Sequence, residues 1–216
     1  MIHKPQFPRL QAILSVCALL VGMLCLTGCG KEDSPIGKSF RFPLAGDPKQ
    51  LDPQVSTDTA SITVVSALFE TLTRLDDSGK AVPAAADWKV SEDGCVYTFT
   101  LKESKWSNGE PVTAADFLFG MQRTISPDTK STLASHLYGI LHAEEVHKGT
   151  LPMEELGIRV LDEKTLEITL KEANPGFPEQ VAGTPYMPCH EAFFEETAGR
   201  YGLEAKYVIT NGPFVL

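Results

Sequence analysis

The feature that most constrains this chain is a strict two-residue alternation in residues 95–102, where Tyr97, Phe99 and Leu101 interleave with Thr98, Thr100 and Lys102. Successive side chains on a strand point to opposite faces, so the segment reads as a strand with one face buried. Residues 88–90 read as its partner strand. The two are joined by Ser91-Glu92-Asp93-Gly94, a short turn with glycine where a positive φ is needed.

Local signals extend this pattern along the chain. Trp106-Ser107-Asn108-Gly109 is a further turn. Thr113-Ala114-Ala115-Asp116 then opens a helix: Thr113 can accept an N–H from the first turn, and Asp116 favours the positive helix end. Phe117, Met121 and Ile125 form one stripe before Pro127 stops the helix. The spacing of Ile62, Val65, Phe69 and Leu72 predicts an earlier helix over residues 60–72, with Gly79 and Pro83 breaking the pattern after it. Residues 132–147 read as mostly helical, 152–156 as a short helical turn, and 188–197 as a helix ending before Gly199. Residues 158–161 and 165–170 form a second hairpin around Asp162-Glu163-Lys164. Nearer the ends, residues 39–44 read as a strand and 47–59 as extended and irregular. Residues 207–216 read as strand, Asn-Gly-Pro turn, strand, and their apolar ending predicts a fragment of a longer protein.

The first 28 residues are of a different kind. Lys4 and Arg9 precede an apolar run from Ala12 to Leu26, broken only by Ser15 and Gly22. The run is shorter than the roughly 20 residues of a membrane span. A basic start, a short apolar stretch and small residues describe a secretory signal peptide, residues 1–28. Leu26-Thr27-Gly28-Cys29 resembles the lipobox of bacterial lipoproteins, which implies cleavage before Cys29 and lipid attachment to its thiol. Two acyl chains suffice for stable anchoring, at about 0.8 kcal/mol per buried CH₂. Residues 29–37 read as a tether. Processing would leave 17 basic against 28 acidic residues, a net charge of −11 in place of −9. Such a chain is a poor nucleic-acid binder and is repelled by anionic lipid, so the anchor and not charge would hold it at a membrane. Of the remaining cysteines, Cys95 and Cys189 either pair or stay separate thiols. We read them as separate, because sequence alone does not bring their Cα atoms within bridging distance.

An ordered set of motifs across residues 38–216 resembles family 5 of the bacterial extracellular solute-binding proteins. It includes Leu51-Asp52-Pro53, Leu68-Phe69-Glu70-Thr71-Leu72, Tyr97-Thr98-Phe99-Thr100-Leu101 and Asn211-Gly212-Pro213-Phe214. The stretch WSNGEPVTAADF from Trp106 to Phe117 is the most specific piece. The resemblance implies an α/β, periplasmic-binding-protein-like two-lobe fold of type II with an extra small lobe, here truncated. Residues 38–60 and 172–216 would belong to lobe one, incomplete and discontinuous, and residues 61–171 to the small lobe. The implied function is capture of oligopeptides or dipeptides for the permease subunits of an ABC importer. The protein would work as a monomer without a cofactor. It would be lipid-anchored on the outer face of the cytoplasmic membrane, or in the periplasm of a two-membrane cell. Alternatives are a nickel-chelate or haem-binding relative, or a peptide-sensing receptor.

The resemblance maps main-chain ligand contacts to Thr57, Asp58 and Thr59, which otherwise are plain loop residues. It also maps an aromatic near the ligand to Phe119, which otherwise is a core residue of an amphipathic helix. Enzymatic signatures are missing: the sequence has no GxSxG, HExxH, GxxxxGK[ST] or paired CxxC. His142 and His147 are five residues apart and so on different helix faces, which makes a solvated face with Glu144 and Glu145 the better reading than a metal site. Glu92 and Asp93 belong to a turn, where polar side chains serve the turn itself.

Overall fold

The computed structural model of the chain describes residues 41–216. The signal peptide, Cys29, the tether and the start of the 39–44 segment lie outside the described residues. Residues Leu44–Leu216 form one compact unit.

Helix α1 (Thr59–Leu68) comes first. A two-stranded hairpin follows, β1 (Thr73–Leu75) antiparallel to β2 (Ala81–Pro83). Then come β3 (Ala86–Val90), β4 (Val96–Leu101) and α2 (Ala114–Ile125). After α3 (Ala143–His147), β5 (Ile158–Asp162) and β6 (Thr165–Thr169) make a second hairpin. The chain ends with the short helices α4 (Phe177–Gln180) and α5 (Glu191–Glu196). The β3–β4 and β5–β6 hairpins merge through β4 and β6 into a four-stranded antiparallel sheet of order β3-β4-β6-β5, separate from β1–β2.

The alternation in β4 acts as expected. Tyr97, Phe99 and Leu101 are buried, and across the ladder Phe99 faces Leu166 and Tyr97 faces Ile168. Helix α2 packs against β5 and β6, adding Phe117, Met121 and Ile125 to the same core. Asp116 fixes the start of α2. Its buried carboxylate accepts the Thr113 N–H at 2.8 Å, the Thr113 hydroxyl at 3.1 Å and the Trp106 indole N–H at 3.2 Å. The WSNG turn, whose Trp106 ring meets Phe69 edge-on, is thereby tied to α2. Gly94 closes the β3–β4 turn at φ 74°, the left-handed conformation its position calls for.

Several elements differ from the sequence reading. α1 stops at Leu68, because Phe69 turns extended and its neighbours bond elsewhere. The Glu70 N–H donates to Asn211 Oδ1 at 3.0 Å, and the Gly212 N–H donates to Leu68 O at 2.9 Å. Within 132–147 the helix is broken into a 3-10 turn, Ala134–Leu137, and α3. Ile140 forms a β-bridge to Leu170, and His142 has φ 61°, which no helix interior accommodates. Residues 208–216 form no strand: the Ser107 N–H donates to Thr210 O, and the Thr210 N–H to Ser107 Oγ. Cys95 and Cys189 are both free thiols.

Candidate functional site

The segment before α1 is shaped by Asp52 and Ser56. Asp52 Oδ1 accepts the Gln54 N–H at 3.1 Å, and its carbonyl accepts the Ser56 hydroxyl at 2.7 Å. The turn delivers Thr57, Asp58 and Thr59 to the N-terminus of α1, with Thr57 and Thr59 exposed. Asp58 is the N-cap: its carboxylate accepts the Ser61 N–H at 2.9 Å. Hydrogen bonds from Ser61 hold that carboxyl below its ordinary value. Ser61 Oγ in turn accepts the Lys49 N–H at 2.9 Å, so the approach to the helix is fixed from both sides.

α1 also walls an open cleft of about 690 Å³. Ile62 and Ser66 come from the helix, Leu133 and His136 from the segment around the 3-10 turn, and Gln180 and Thr184 from the stretch after β6. Ile62, read from sequence as a buried helix position, is only half-buried and faces this cleft. The Tyr186 hydroxyl donates to the His136 carbonyl at 2.7 Å, locking two of the three segments together. Burial pushes the Tyr186 phenol up, so it stays a neutral donor. The lining carries hydroxyl and amide groups from Ser66, Ser135, Asn174, Gln180 and Thr184 and no carboxylate, lysine or arginine. Such a wall can hydrogen-bond a neutral or main-chain group without imposing a charge.

Phe119 is elsewhere. It lines a second cleft, of about 660 Å³; residues 57–59 line neither this cleft nor the one beside α1. Its ring meets Phe194 edge-on at 5.7 Å. The floor of this cleft is an ion pair between Arg123 and Asp52. Arg123 Nη2 donates to Asp52 Oδ2 at 2.7 Å, and Nη1 donates to Asp52 Oδ1 at 3.1 Å and to Gln54 Oε1 at 2.7 Å. The guanidinium also stacks on Phe194 at 3.9 Å. Burial alone would lower the Arg123 value, but the hydrogen bonds and charge of Asp52 outweigh it and the net shift is upward. Both terminal nitrogens are engaged within the protein, so this arginine is a structural tie and not a free anion receptor.

Among the described residues, no three His, Cys, Asp or Glu side chains form a group that could hold a metal ion. His147 Nδ1 is 2.8 Å from Ile125 O, and His142 sits at the N-cap of α3, so the two do not act together. Asp93 serves its turn, accepting the Cys95 N–H at 3.0 Å. The cleft residues His136, Gln180 and Thr184 escaped sequence reading because they lie on helical turns of three or four residues, too short to show a periodicity.

Residues 81–216 match the family described as bacterial extracellular solute-binding proteins, family 5 Middle. The chain is 32% identical over 204 residues to the oligopeptide-binding protein OppA of Bacillus subtilis, covering 94% of this chain and 37% of that protein. Among solved structures, the substrate-binding domain of an oligopeptide ABC transporter from Bacillus anthracis is 42% identical, with a TM-score of 0.76 over 79% of this chain and 34% of that one. OppA of Listeria monocytogenes, solved bound to peptide, is 32% identical with a TM-score of 0.77 over the same shares. The chain thus spans a little over a third of the length of these relatives.

Proposed function

This chain belongs to the bacterial extracellular solute-binding proteins of family 5, and on that premise we propose that it forms one wall of the ligand cleft of a peptide-binding protein that serves an ABC importer. The single observation that carries the proposal is the charge-free, hydroxyl- and amide-lined cleft beside α1. A wall of that chemistry suits a peptide main chain, whose N–H and C=O groups recur whatever the side chains are. Thr57, Asp58 and Thr59, at the entry to the same helix, are the main-chain contacts in this reading. Phe119, in the other cleft, would contact ligand only if the peptide reaches that far, and Phe119→Ala tests this as a change in peptide affinity.

In this reading residues 38–60 and 172–216 form part of one ligand-gripping lobe, and residues 61–171 form a small accessory lobe. Support comes from the hydrogen bonds that join the two outer ranges: Leu51 N to Gly202 O at 2.7 Å, and Gln54 Nε2 to Met187 O at 3.0 Å. Ligand contacts made only when the lobes close would shift the open–closed equilibrium. The protein acts as a monomer outside the cytoplasm, anchored through Cys29, and hands its ligand to the permease.

The test is thermal-shift screening of the protein as its own gene encodes it, against di-, tri- and pentapeptides and a nickel–histidine complex. A peptide at about 100 times its Kd stabilises by about 2.7 kcal/mol, a shift of several degrees. A shift with nickel–histidine and none with any peptide rejects the assignment. For the anchor, Cys29→Ser should abolish incorporation of acyl label; label retained by the variant contradicts it.

A further inference from the structure

We propose that His136 sets the ligand preference of the cleft beside α1, favouring a peptide with a carboxylate side chain at one position as the pH falls. The inference rests on the peptide-binding reading above. It starts from what the cleft lacks. Among its lining residues His136 alone has a side chain that can carry a positive charge in the physiological range. α1 contains no ionisable residue between Thr59 and Leu68. His136 is therefore the one imidazole in this wall, with no carboxylate, lysine or arginine beside it.

The His136 side chain is exposed, while its backbone is held: the carbonyl accepts the Tyr186 hydroxyl, and the N–H donates to Leu133 O at 3.0 Å. The ring is thus free to meet a ligand although its position in the wall is fixed. Charged groups on the elements packed against its turn lie outside the cleft. Arg123 is paired with Asp52, and Asp116 with Trp106 and Thr113. Glu144 is paired with Lys148 and lies near Lys171, Glu145 has one carboxylate oxygen buried without a hydrogen-bond partner, and His147 faces Ile125 O. Glu179 on α4 faces Lys80 at 4.0 Å. None of these lines the cleft. A ligand carboxylate near the ring would gain attraction only when the imidazole is protonated, and its amide counterpart would gain little.

The experiment compares peptides carrying one glutamate, scanned through each position, with their glutamine twins. Affinities are measured by calorimetry at pH 5.5 and 7.5 on the protein as its own gene encodes it. At one position the Glu-over-Gln affinity ratio should rise at least about threefold on acidification, as expected for a partly exposed ion pair. The ratio should stay flat in His136→Gln and be high at both pH values in His136→Lys. Melting curves of the variants establish that they fold, which the exposed ring favours. A flat ratio at every position in the unaltered protein, or an undiminished rise in His136→Gln, overturns the proposal. Failure of every peptide to bind at both pH values instead overturns the peptide-binding reading, and this inference with it.

Discussion

Arg123 and Asp52 are 8% and 5% exposed, and a charge so placed is tolerated only with its partner present. Asp52→Asn keeps the size but leaves the guanidinium uncompensated, and it should cost about 3–5 kcal/mol in denaturant unfolding. A change below 1 kcal/mol would mean that Gln54 alone carries the arginine. Nothing local announces this pair, since 71 residues separate its members. The motif residues Asp52 and Asp116 stood out in sequence for their setting, yet their partners come from tertiary packing. Asp58 was placed on the ligand segment by resemblance, and its cap role was legible only once α1 was seen to begin at Thr59. Because its folded carboxyl lies below the ordinary value, the stabilisation it gives is present above the unfolded pKa and fades as pH falls through the folded one. The stability gap between the unaltered protein and Asp58→Ala should therefore be open at pH 7 and narrow below about pH 4; a gap that widens in acid would refute the sign. The two thiols also part company. Burial pushes Cys189 up to about 12, whereas Cys95 is half-buried in a surface turn. At pH 8 a thiol reagent should label Cys95 in the folded protein and reach Cys189 only on unfolding, as peptide mapping would show.

Elements were readable where their determinants are local and unreadable where a distant residue decides. The β3–β4 hairpin needed only its alternation and Gly94, and α2 only its stripe and its first turn. The end of α1, by contrast, depends on Asn211, which both accepts the Glu70 N–H and donates to Glu70 O at 2.9 Å. An apolar spacing that continues through Phe69 and Leu72 predicts helix there, and both residues are indeed buried, but Phe69 is extended and Leu72 lies in a bend. Asn211→Ala removes both bonds from an almost buried site and should cost about 1–3 kcal/mol. An unchanged unfolding midpoint would show that Gly212 alone suffices to end the helix. α2 has a similar hidden constraint. A Cβ added at Gly120 would stand 2.2 Å from Met187 O, so the helix passes directly over that backbone. Gly120→Ala should improve helix propensity and still destabilise, by about 1–3 kcal/mol, because overpacking against a fixed carbonyl exceeds the propensity gain.

At the scale of the molecule, the late segment of the chain closes the core that the early segments build. Tyr201 and Ile209 are 5% and 6% exposed, Gly202 O accepts the Leu51 N–H, and Thr210 clamps Ser107 beside the buried Trp106. These contacts join stretches that no periodicity links, which is why residues 207–216 read in sequence as an independent strand pair. The same contacts separate two accounts of the cleft wall. If residues 187–216 merely drape over a finished core, deleting residues 201–216 leaves the unfolding midpoint and tryptophan emission unchanged. If they complete it, the deletion exposes apolar area worth about 25 cal/mol per Å² and frees the backbone on both sides of α1. We expect the second outcome: a lower midpoint, a broader transition and red-shifted emission as Trp106 meets water. On the peptide-binding reading proposed above, the deletion would also weaken peptide binding, since α1 would no longer be held at the end that Asn211 and Gly212 secure. Unaltered emission together with an unaltered midpoint would detach the late segment from the fold and leave the cleft wall to residues 44–186 alone.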